Sequence, residues 1–376
     1  MSEERVDVVV VGGGAMGSAA AWQLAKRGVD VVLLERFSPG HANGASHGSS
    51  RIFRLTYADQ VYIEVAKEAQ ALWTELEEST GTKVLTVTGG VDHGRHPHLD
   101  DLKVNLDLAG IESTWLTPGE ATERWPGMRF DGRALFHPDS GRLNADRAVE
   151  ALQHGAVDRG GVVKHETRVT SIKVIDDDTV EVRTDETLYR ARRAVVCAGA
   201  WTSKLLGPIV HLPTLTVTQE QPAHFAPLSS DLAWPSFTHA FEVNSLGAQQ
   251  FYGGVYGLSA PGEGVKVGFH AVGPVVDPDQ RDFLPEPRQL AQLQEYARQW
   301  LPGVDPDDFS PISCTYTSTA DSNFILDRFG PLVVGAGFSG HGFKFVPAIG
   351  RILSDLASDG PAPDSRFSLH VERAAS

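Results

Sequence analysis

Four short segments carry side chains that could take part in chemistry: "SHGSSRIFR", "VKVGFH", "SCTYT" and "GHGFKF". The third holds Cys314, one of two cysteines in 376 residues. A thiol can bond covalently to a ligand, but a lone cysteine is more often a small buried hydrophobe. The residues alone favour that second interpretation for Cys314. They favour it more strongly for Cys197, which lies in the apolar segment "RAVVCAGAW".

The cations of these segments occupy unusual surroundings. Lys344 lies between phenylalanines, where an unpaired ammonium is unfavourable, so we expect it to have an anionic partner. Lys266 and His270 would point to one face of a strand, although a strand lysine that faces water is the alternative. Arg51 and Arg54 would share a face on a helical turn but point in opposite directions on an extended strand. A planar guanidinium suits a carboxylate; surface arginines ahead of a helix are the alternative.

A histidine-rich stretch raises the question of a metal site. The segment "VDHGRHPHLD" contains His93, His96, His98 and Asp100, all of which are side chains that ligate metals. Their spacing matches no defined zinc pattern, and Pro97 interrupts regular structure. We therefore expect a solvated loop here and no metal site.

The first 35 residues predict a βαβ unit. A valine-rich strand (8–11), a glycine turn, a helix and a second strand (29–34) follow in order, within the length of such a unit. The turn has the GxGxxG pattern of dinucleotide-binding proteins, which allows a tight turn and close approach to a pyrophosphate: Gly12, Gly14 and Gly17. Glu35 follows at the spacing of a ribose-binding carboxylate. This motif does not separate NAD from FAD.

The remaining elements favour FAD, because distant segments return to the nucleotide-binding domain. A Gly/Ser/His-rich loop leads into an amphipathic helix, successive strands follow within 161–201, and 215–310 mixes strands with a helix at 287–300. The predicted fold class is α/β, with a Rossmann-like FAD-binding domain and an α+β second lobe on a mixed sheet. The boundaries are 1–85, 145–214 and 310–376 for the FAD-binding domain, and 86–144 and 215–309 for the substrate domain. The apolar stripe predicted for the amphipathic helix is Val61, Val65, Ala69, Leu72 and Leu76.

Composition excludes several classes of protein. A net charge of −15 without a basic cluster argues against nucleic-acid binding. No stretch approaches the ~20 apolar residues of a membrane span. The N-terminus lacks the pattern of a signal peptide, and two cysteines cannot build a disulfide framework. We expect a cytoplasmic protein.

The motifs resemble those of the monomeric sarcosine oxidase and N-methyltryptophan oxidase family, within the D-amino-acid-oxidase-like flavoproteins. The resemblance covers nearly the whole chain and rests on "GGGAMGS", "SHGSSRIFRLTY", "VVCAGAW", "VKVGFH", "SCTYTSTADSNFILD" and "GFSGHGFKF". It implies FAD as the cofactor, tethered by a thioether from Cys314 to the 8α-methyl group of the flavin.

The resemblance also implies roles for the other candidates. Arg54 and Lys344 would bind the substrate carboxylate, and Tyr252 and Tyr316 would line the substrate cavity unless they are simply half-buried aromatics. The implied catalytic residues are Lys266, His270, Arg51 and Tyr316. The implied cofactor contacts are Gly12, Gly14, Met16, Gly17, Glu35, Arg36, Ser46, His47, Arg51, Val169, Gly199, Trp201, Cys314, Gly340, Gly342, Phe343 and Lys344.

The implied reaction is oxidation of a secondary amino acid, either an N-methyl or an N-carboxymethyl amine. Its α hydride passes to flavin N5, the imine hydrolyses, and O2 leaves as H2O2. We expect a monomer without a nucleic-acid or membrane partner. Two alternatives remain: a flavin dehydrogenase that passes electrons to a partner protein, and an NAD-dependent dehydrogenase. The segment "GGVYGLSAPGEGVK" is expected to be a longer loop than in sarcosine oxidase, which argues against a sarcosine-sized pocket.

Overall fold

The computed structural model describes residues 2–369. The predicted βαβ unit is confirmed as strand β1, helix α1 and strand β2. The helices are α1 (Ala15–Lys26), α2 (Gln60–Thr80), α3 (His98–Leu108), α4 (Pro118–Arg124), α5 (Ala145–Val157), α6 (Thr202–Leu206), α7 (Leu246–Gln250), α8 (Pro287–Trp300) and α9 (Val346–Ala357). Short 3-10 turns cover Gly199–Trp201, Phe343–Phe345 and Ser365–Phe367.

The strands lie between these helices along the chain, in runs of one to four. They are β1 (Ser2–Val11), β2 (Val31–Leu34), β3 (Arg51–Phe53), β4 (Leu85–Val87), β5 (Gly90–Gly94), β6 (Thr114–Leu116), β7 (Ala134–His137), β8 (Gly141–Leu143), β9 (Val162–Lys164), β10 (Val169–Asp176), β11 (Thr179–Thr184), β12 (Thr187–Val196), β13 (Thr216–Glu220), β14 (Ala223–Pro227), β15 (Ser236–Ala240), β16 (Gly254–Ala260), β17 (Gly264–Gly268), β18 (Val304–Pro311), β19 (Cys314–Ser318), β20 (Ile325–Phe329) and β21 (Leu332–Ala336).

The first large sheet contains the βαβ unit. Its strand order is β10-β11-β12-β1-β2-β9, and β21 pairs with β12 and with β20. The pairs of β1 with β2 and with β12 are parallel, and the inner ends of these strands are buried valines and leucines, as parallel strands covered on both faces require. Helix α1 packs against α5 and α9. This sheet therefore brings residues from the start, middle and end of the chain together, as predicted.

The second large sheet is mixed, which confirms that part of the predicted fold class. Its order is β18-β14-β17-β16-β15-β5-β7-β6; β15 and β5 are parallel, and the other neighbours are antiparallel. Helix α8, which has the predicted bounds, begins with Pro287 after Glu286 caps its first turn. The core of this sheet is rich in aromatic side chains, including Trp125, Phe237 and Tyr296.

Two small sheets join distant segments. Strands β3, β8 and β4 form one of them, and β13 pairs with β19 to form the other. In the second pair, Glu220 lies directly opposite Cys314. Because Arg51 starts β3, the extended alternative for Arg51 and Arg54 is the one that the structure adopts.

Two local predictions were wrong. The segment expected to be a long loop is the hairpin of β16 and β17, with a turn at 261–263; its alternating apolar residues satisfy a strand, and only Pro-Gly-Glu remains for the turn. The histidine-rich segment is not a solvated loop, because β5 is buried and α3 begins at His98. The predicted stripe of α2 does pack against the core: Ala69 and Leu76 are fully buried, and the half-buried Val61, Val65 and Leu72 contact the same cluster.

We keep the predicted domain boundaries as a proposal. The membership of the two large sheets supports them, although β8, assigned by the prediction to the substrate domain, pairs with β3 and β4. Met1 and residues 370–376, which the prediction assigns to the FAD-binding domain, lie outside the described residues. Within 2–369, no helix is long and apolar enough to cross a membrane.

Candidate active site

A cavity of about 870 Å³ opens at the carboxyl ends of β1 and β2, the place where such sheets bind ligands. Gly17 and Lys344 are the implied cofactor residues that do not line it. Those that do are Gly12, Gly14, Met16, Glu35, Arg36, Ser46, His47, Arg51, Val169, Gly199, Trp201, Cys314, Gly340, Gly342 and Phe343.

The glycine turn is fixed by close backbone contacts. Gly12 adopts φ +102°, and a Cβ on Gly17 would lie 1.9 Å from the Gly12 carbonyl oxygen. Gly17 therefore lets α1 pack against the turn without lining the cavity itself. The Ser46 hydroxyl oxygen accepts the Ala15 N–H at 3.0 Å, which ties the long loop to the first turn of α1.

Glu35 braces the turn from the end of β2. Its carboxylate accepts the N–H groups of Gly13 at 2.7 Å and Phe37 at 2.9 Å, and His41 lies 3.4 Å away. Burial raises the pKa of Glu35, but the hydrogen bonds from His41 and the backbone outweigh it and leave the pKa below its usual value. Glu35 is thus an anion held in place at the wall of the cavity.

Arg51 and Cys314 meet on the opposite wall. The Arg51 guanidinium donates to the carbonyls of Ser50, Ala45 and His47 at 2.6–3.1 Å, and its Nη2 lies 3.9 Å from Cys314 Sγ. Burial, followed by the charges of Arg51 and Lys266, lowers the pKa of His47 to about 4. The buried Nε2 of this neutral ring has no partner among the described residues.

These features fit FAD. The glycine turn and the N-terminus of α1 suit a pyrophosphate, since helix N-termini attract anions. The unpartnered nitrogen belongs to His47, which lines the cavity as Arg51 does, and both side chains could bind polar atoms of a flavin ring.

Lys266 lies behind Arg51 on β17. Its Nζ is 3.5 Å from the Ser50 carbonyl oxygen, and burial, with a contribution from the Arg51 charge, lowers its pKa to about 7. Tyr256 pairs with Gly268 across the hairpin, so its ring lies on the Lys266 face. Burial raises the pKa values of both Tyr256 and Tyr316 above the usual value of a phenol. Of these three side chains, Tyr316 lines the cavity with Cys314, and Lys266 and Tyr256 lie near Cys314.

A second pair of cations converges on Tyr57. The Lys344 ammonium lies 5.4 Å from the centre of the Tyr57 ring, and the Arg54 guanidinium lies 5.6 Å from it. Lys344 donates to the Tyr57 hydroxyl at 2.9 Å and to the His341 carbonyl at 2.7 Å. Burial lowers the pKa of Lys344 well below its usual value, and the Arg54 charge lowers it further.

The expected anionic partner of Lys344 is not a protein carboxylate within residues 2–369, where its hydrogen-bond acceptors are a phenol and a carbonyl group. Arg54 does have such a partner, because its Nη1 lies 2.9 Å from Asp92 Oδ1. Of the two cations implied to bind one carboxylate, Arg54 thus has a carboxylate partner, whereas Lys344 has only neutral acceptors among the described residues.

His270 follows the end of β17 and lies beside Tyr316, whereas Tyr252 has other partners. The His270 ring is 5.2 Å from the Tyr316 ring. Although part of the His270 surface is accessible, desolvation by surrounding atoms lowers its pKa to about 4, and the Lys344 and Arg54 charges contribute to this lowering. Tyr252 is 37% exposed and donates to Gln292 at 2.7 Å. Its implied contact with a substrate stays a prediction.

The comparison with known proteins identifies the family. The family model for FAD-dependent oxidoreductases of the DAO type matches residues 7–356. This chain belongs to that family.

Proteins that match over nearly their whole length show which enzymes of this family the chain resembles. The oxidoreductase is 35% identical to a monomeric sarcosine oxidase of Bacillus sp. (strain NS-129), with 97% of this chain and 96% of that enzyme covered. It is 30% identical to the N-methyl-L-tryptophan oxidase of Yersinia pestis (strain Pestoides F), covering 96% and 98%. The open form of NikD, an unusual amino acid oxidase essential for nikkomycin biosynthesis, superposes with a TM-score of 0.87 at 29% identity over 99% and 100% of the two chains. The resemblance stated from the motifs is confirmed.

Three residues of this oxidoreductase's site were missed by the sequence analysis. Tyr57 lies inside the quoted motif "SHGSSRIFRLTY" and could have been noticed beside Arg54. Asp92 carried a weaker signal, a charged residue in an apolar segment between glycines. Tyr256 gave none, because it became distinguishable from Tyr252 only once the hairpin register was known.

Proposed function

We propose that this oxidoreductase is an FAD-dependent oxidase of secondary amino acids. The observation that carries the proposal is the pair of cations at Tyr57: Lys344 is 6% exposed, and no described carboxylate lies within salt-bridge distance of it. A buried ammonium of this kind is stabilised by an anionic ligand. The names of the relatives point to amino acids and N-methyl amino acids, whose carboxylate would supply that anion.

The proposed binding mode assigns the carboxylate to Arg54 and Lys344. Arg54 keeps guanidinium donors beyond the one used by Asp92, and Lys344 keeps one ammonium proton beyond those used by Tyr57 and His341. Holding the acid group at two points fixes the neighbouring carbon and amine, which is how orientation lowers a barrier. FAD, when bound, supplies the acceptor for the α hydride.

Other residues would act on the cofactor and on oxygen. Cys314 would form the thioether tether, since it lines the cavity at the β13–β19 sheet. Lys266 would stabilise the negative charge that develops on dioxygen as H2O2 forms, because a fixed cation acts most strongly where charge develops. No protein base is required if the substrate reacts as its neutral amine. We further propose that the enzyme works in the cytoplasm as a monomer.

A screen of substrates tests the proposal. Purified FAD-loaded enzyme is mixed with N-substituted glycines, N-methyl amino acids and cyclic imino acids, and both flavin bleaching without oxygen and H2O2 release in air are measured. At least one acid of these classes should produce both signals. Bleaching with slow peroxide release would instead support a dehydrogenase with a partner protein, and a colourless protein that binds NAD would overturn the FAD assignment.

A further inference from the structure

Asp92 is a buried acid behind the proposed carboxylate site, and none of the roles assigned so far involves it. It lies at the centre of β5 and is 1% exposed. Its Oδ1 accepts hydrogen bonds from Arg54 at 2.9 Å and from the Thr238 hydroxyl, and its Oδ2 lies 2.8 Å from His137 Nε2. Both carboxylate oxygens therefore have protein donors.

The partners of Asp92 are placed by the second large sheet. Thr238 of β15 lies directly opposite Asp92, and His137 ends the neighbouring strand β7. The Nδ1 atom of His137 is hydrogen-bonded to Ser140, which is also 1% exposed. These residues form a buried hydrogen-bond network, and Arg54 is its most exposed member.

Gly90 shows how closely this network is built. A Cβ on Gly90 would lie 2.1 Å from the His137 ring and 2.6 Å from Ser140 Cβ. The side-chain-free position on β5 thus makes room for the ring that supports Asp92.

The network does not suit Asp92 to a role as a catalytic base or metal ligand. A base needs an oxygen free to reach the substrate proton, whereas both oxygens of Asp92 accept hydrogen bonds from the protein. Burial raises the pKa of Asp92, but the Arg54 charge and the hydrogen bonds from His137 and Thr238 lower it overall. Among residues 2–369, no cluster of three or more His, Cys, Asp or Glu side chains could hold a metal.

Arg54 is the group on which Asp92 acts. The Arg54 side chain is 26% exposed, and its guanidinium donates a hydrogen bond to Asp92. Without that acceptor, a long flexible side chain would have to be ordered by the ligand itself, at a cost in conformational entropy.

We propose that Asp92 is a positioning residue that holds the Arg54 guanidinium in the orientation that receives the substrate carboxylate, with Thr238 and the His137–Ser140 pair supporting it. This inference rests on the proposed function, because it requires Arg54 to bind a carboxylate. It makes the acid-binding specificity of the enzyme depend on a residue that does not touch the substrate.

The test compares two neutral replacements, Asp92→Asn and Asp92→Ala, in otherwise full-length FAD-loaded enzyme. Both remove the charge, but asparagine keeps an acceptor for Arg54 and alanine does not. Binding of acetate and propionate is measured from the change in flavin absorbance, and melting temperature and flavin content report the fold. We expect the alanine variant to bind these acids at least tenfold more weakly than the asparagine variant. Asp131→Asn, which breaks the surface pair with Arg95, should bind them as the wild type does.

A double-mutant cycle decides whether the effect passes through Arg54. In an Arg54→Ala background, the difference between the two Asp92 variants should shrink below about twofold. Equal binding by the two variants, or an unchanged difference without Arg54, would overturn the inference. Carboxylate binding without any amine oxidation would reject the proposed oxidase activity but leave the role of Asp92 standing. Absence of carboxylate binding in the wild type would reject both.

Discussion

The cofactor cavity and the proposed carboxylate site are neighbours, yet different parts of the protein chain build them. The glycine turn of the cavity, braced by Glu35, comes from one continuous segment, whereas other lining residues such as Cys314 and Phe343 come from distant parts of the chain. At the carboxylate site, Arg54 follows β3, Asp92 comes from β5, and Lys344 comes from a turn ahead of α9. The glycine turn depends on local backbone geometry, whereas the proposed carboxylate site depends on charged side chains that only the assembled fold brings together.

The largest effect on the stability of the fold should come from adding a side chain at Gly17, where α1 contacts the glycine turn. Gly17→Ala places a Cβ 1.9 Å from the Gly12 carbonyl oxygen, so the strand and helix must separate, at a cost of about 3 kcal/mol in unfolding free energy. FAD content after purification and the denaturant midpoint should both fall. Gly119→Ala, where the new Cβ would lie 4.0 Å from its nearest neighbour, Thr117 Oγ1, is the control; equal behaviour of the two variants would refute the close-packing argument.

Removing a cation from the carboxylate site should instead spare the cofactor. Arg54→Ala deletes one ligand of the proposed carboxylate and leaves Asp92 with only Thr238 and His137 as partners, a loss of about 2 to 5 kcal/mol. Flavin reduction by the best substrate, measured without oxygen, should slow by orders of magnitude while flavin content stays near normal. Arg95→Ala on the surface is the control. The clamp would be wrong if wild-type enzyme oxidised decarboxylated analogues as fast as the acids.

The third prediction concerns the proposed covalent link between Cys314 and the cofactor. Acid precipitation of the wild type should leave the yellow colour with the protein, and a peptide containing Cys314 should carry the mass of the flavin. Cys314→Ser should release all of its flavin on the same treatment, because serine cannot form the thioether. Cys197→Ala should retain it. Flavin found entirely in the wild-type supernatant would disprove the tether and leave the fold assignment intact.

Lys266 should separate the two half-reactions. Lys266→Met nearly keeps the length of the side chain and removes its charge, so flavin reduction should stay within about tenfold of wild type, or about 1.4 kcal/mol, while reoxidation by air slows far more. Because the pKa of Lys266 is about 7, its ammonium is lost as pH rises through that value, and wild-type reoxidation should slow over the same range. The variant should lack this pH dependence. Equal losses in both half-reactions would point to a structural role.

The smallest expected effect at neutral pH is on stability and concerns His93, to which no role in binding or catalysis is assigned. His93 is buried and stacks on His239 with ring centres 4.2 Å apart, and burial lowers its pKa to about 3. Its unfolded pKa is about 6.5. Below that value the unfolded chain takes up a proton that the folded chain resists, so stability is full above pH 6.5 and falls as pH drops towards 3.

His93→Phe should remove that part of the acid sensitivity. Between pH 7 and pH 5 its unfolding free energy should fall by about 2 kcal/mol less than that of the wild type, as given by 1.36 kcal/mol per pH unit below the unfolded pKa. Denaturant titrations at the two pH values provide the measurement. Parallel losses in both proteins would show that His93 does not titrate on unfolding.

The sequence by itself determined the elements whose chemistry is local. The GxGxxG turn with its flanking strands, the helix at Pro287–Trp300 and the family motifs were all predicted from short segments, because their backbone geometry depends on residues close in the chain. The same reasoning failed for β5 and the β16–β17 hairpin. There, glycine and histidine suggested loops, but pairing with distant strands decided the conformation.

Only the tertiary structure decided the partners of the charged side chains. Lys344 was expected to meet an anion, and within the described residues it meets Tyr57 and the His341 carbonyl; Arg54, for which no protein partner was predicted, meets Asp92. Burial and neighbouring charge set whether such groups are charged, and both depend on contacts between residues far apart in sequence. The motifs could therefore place the cations near a flavin, but the network that orients Arg54 became visible only when strands β5, β7 and β15 were assembled into one sheet.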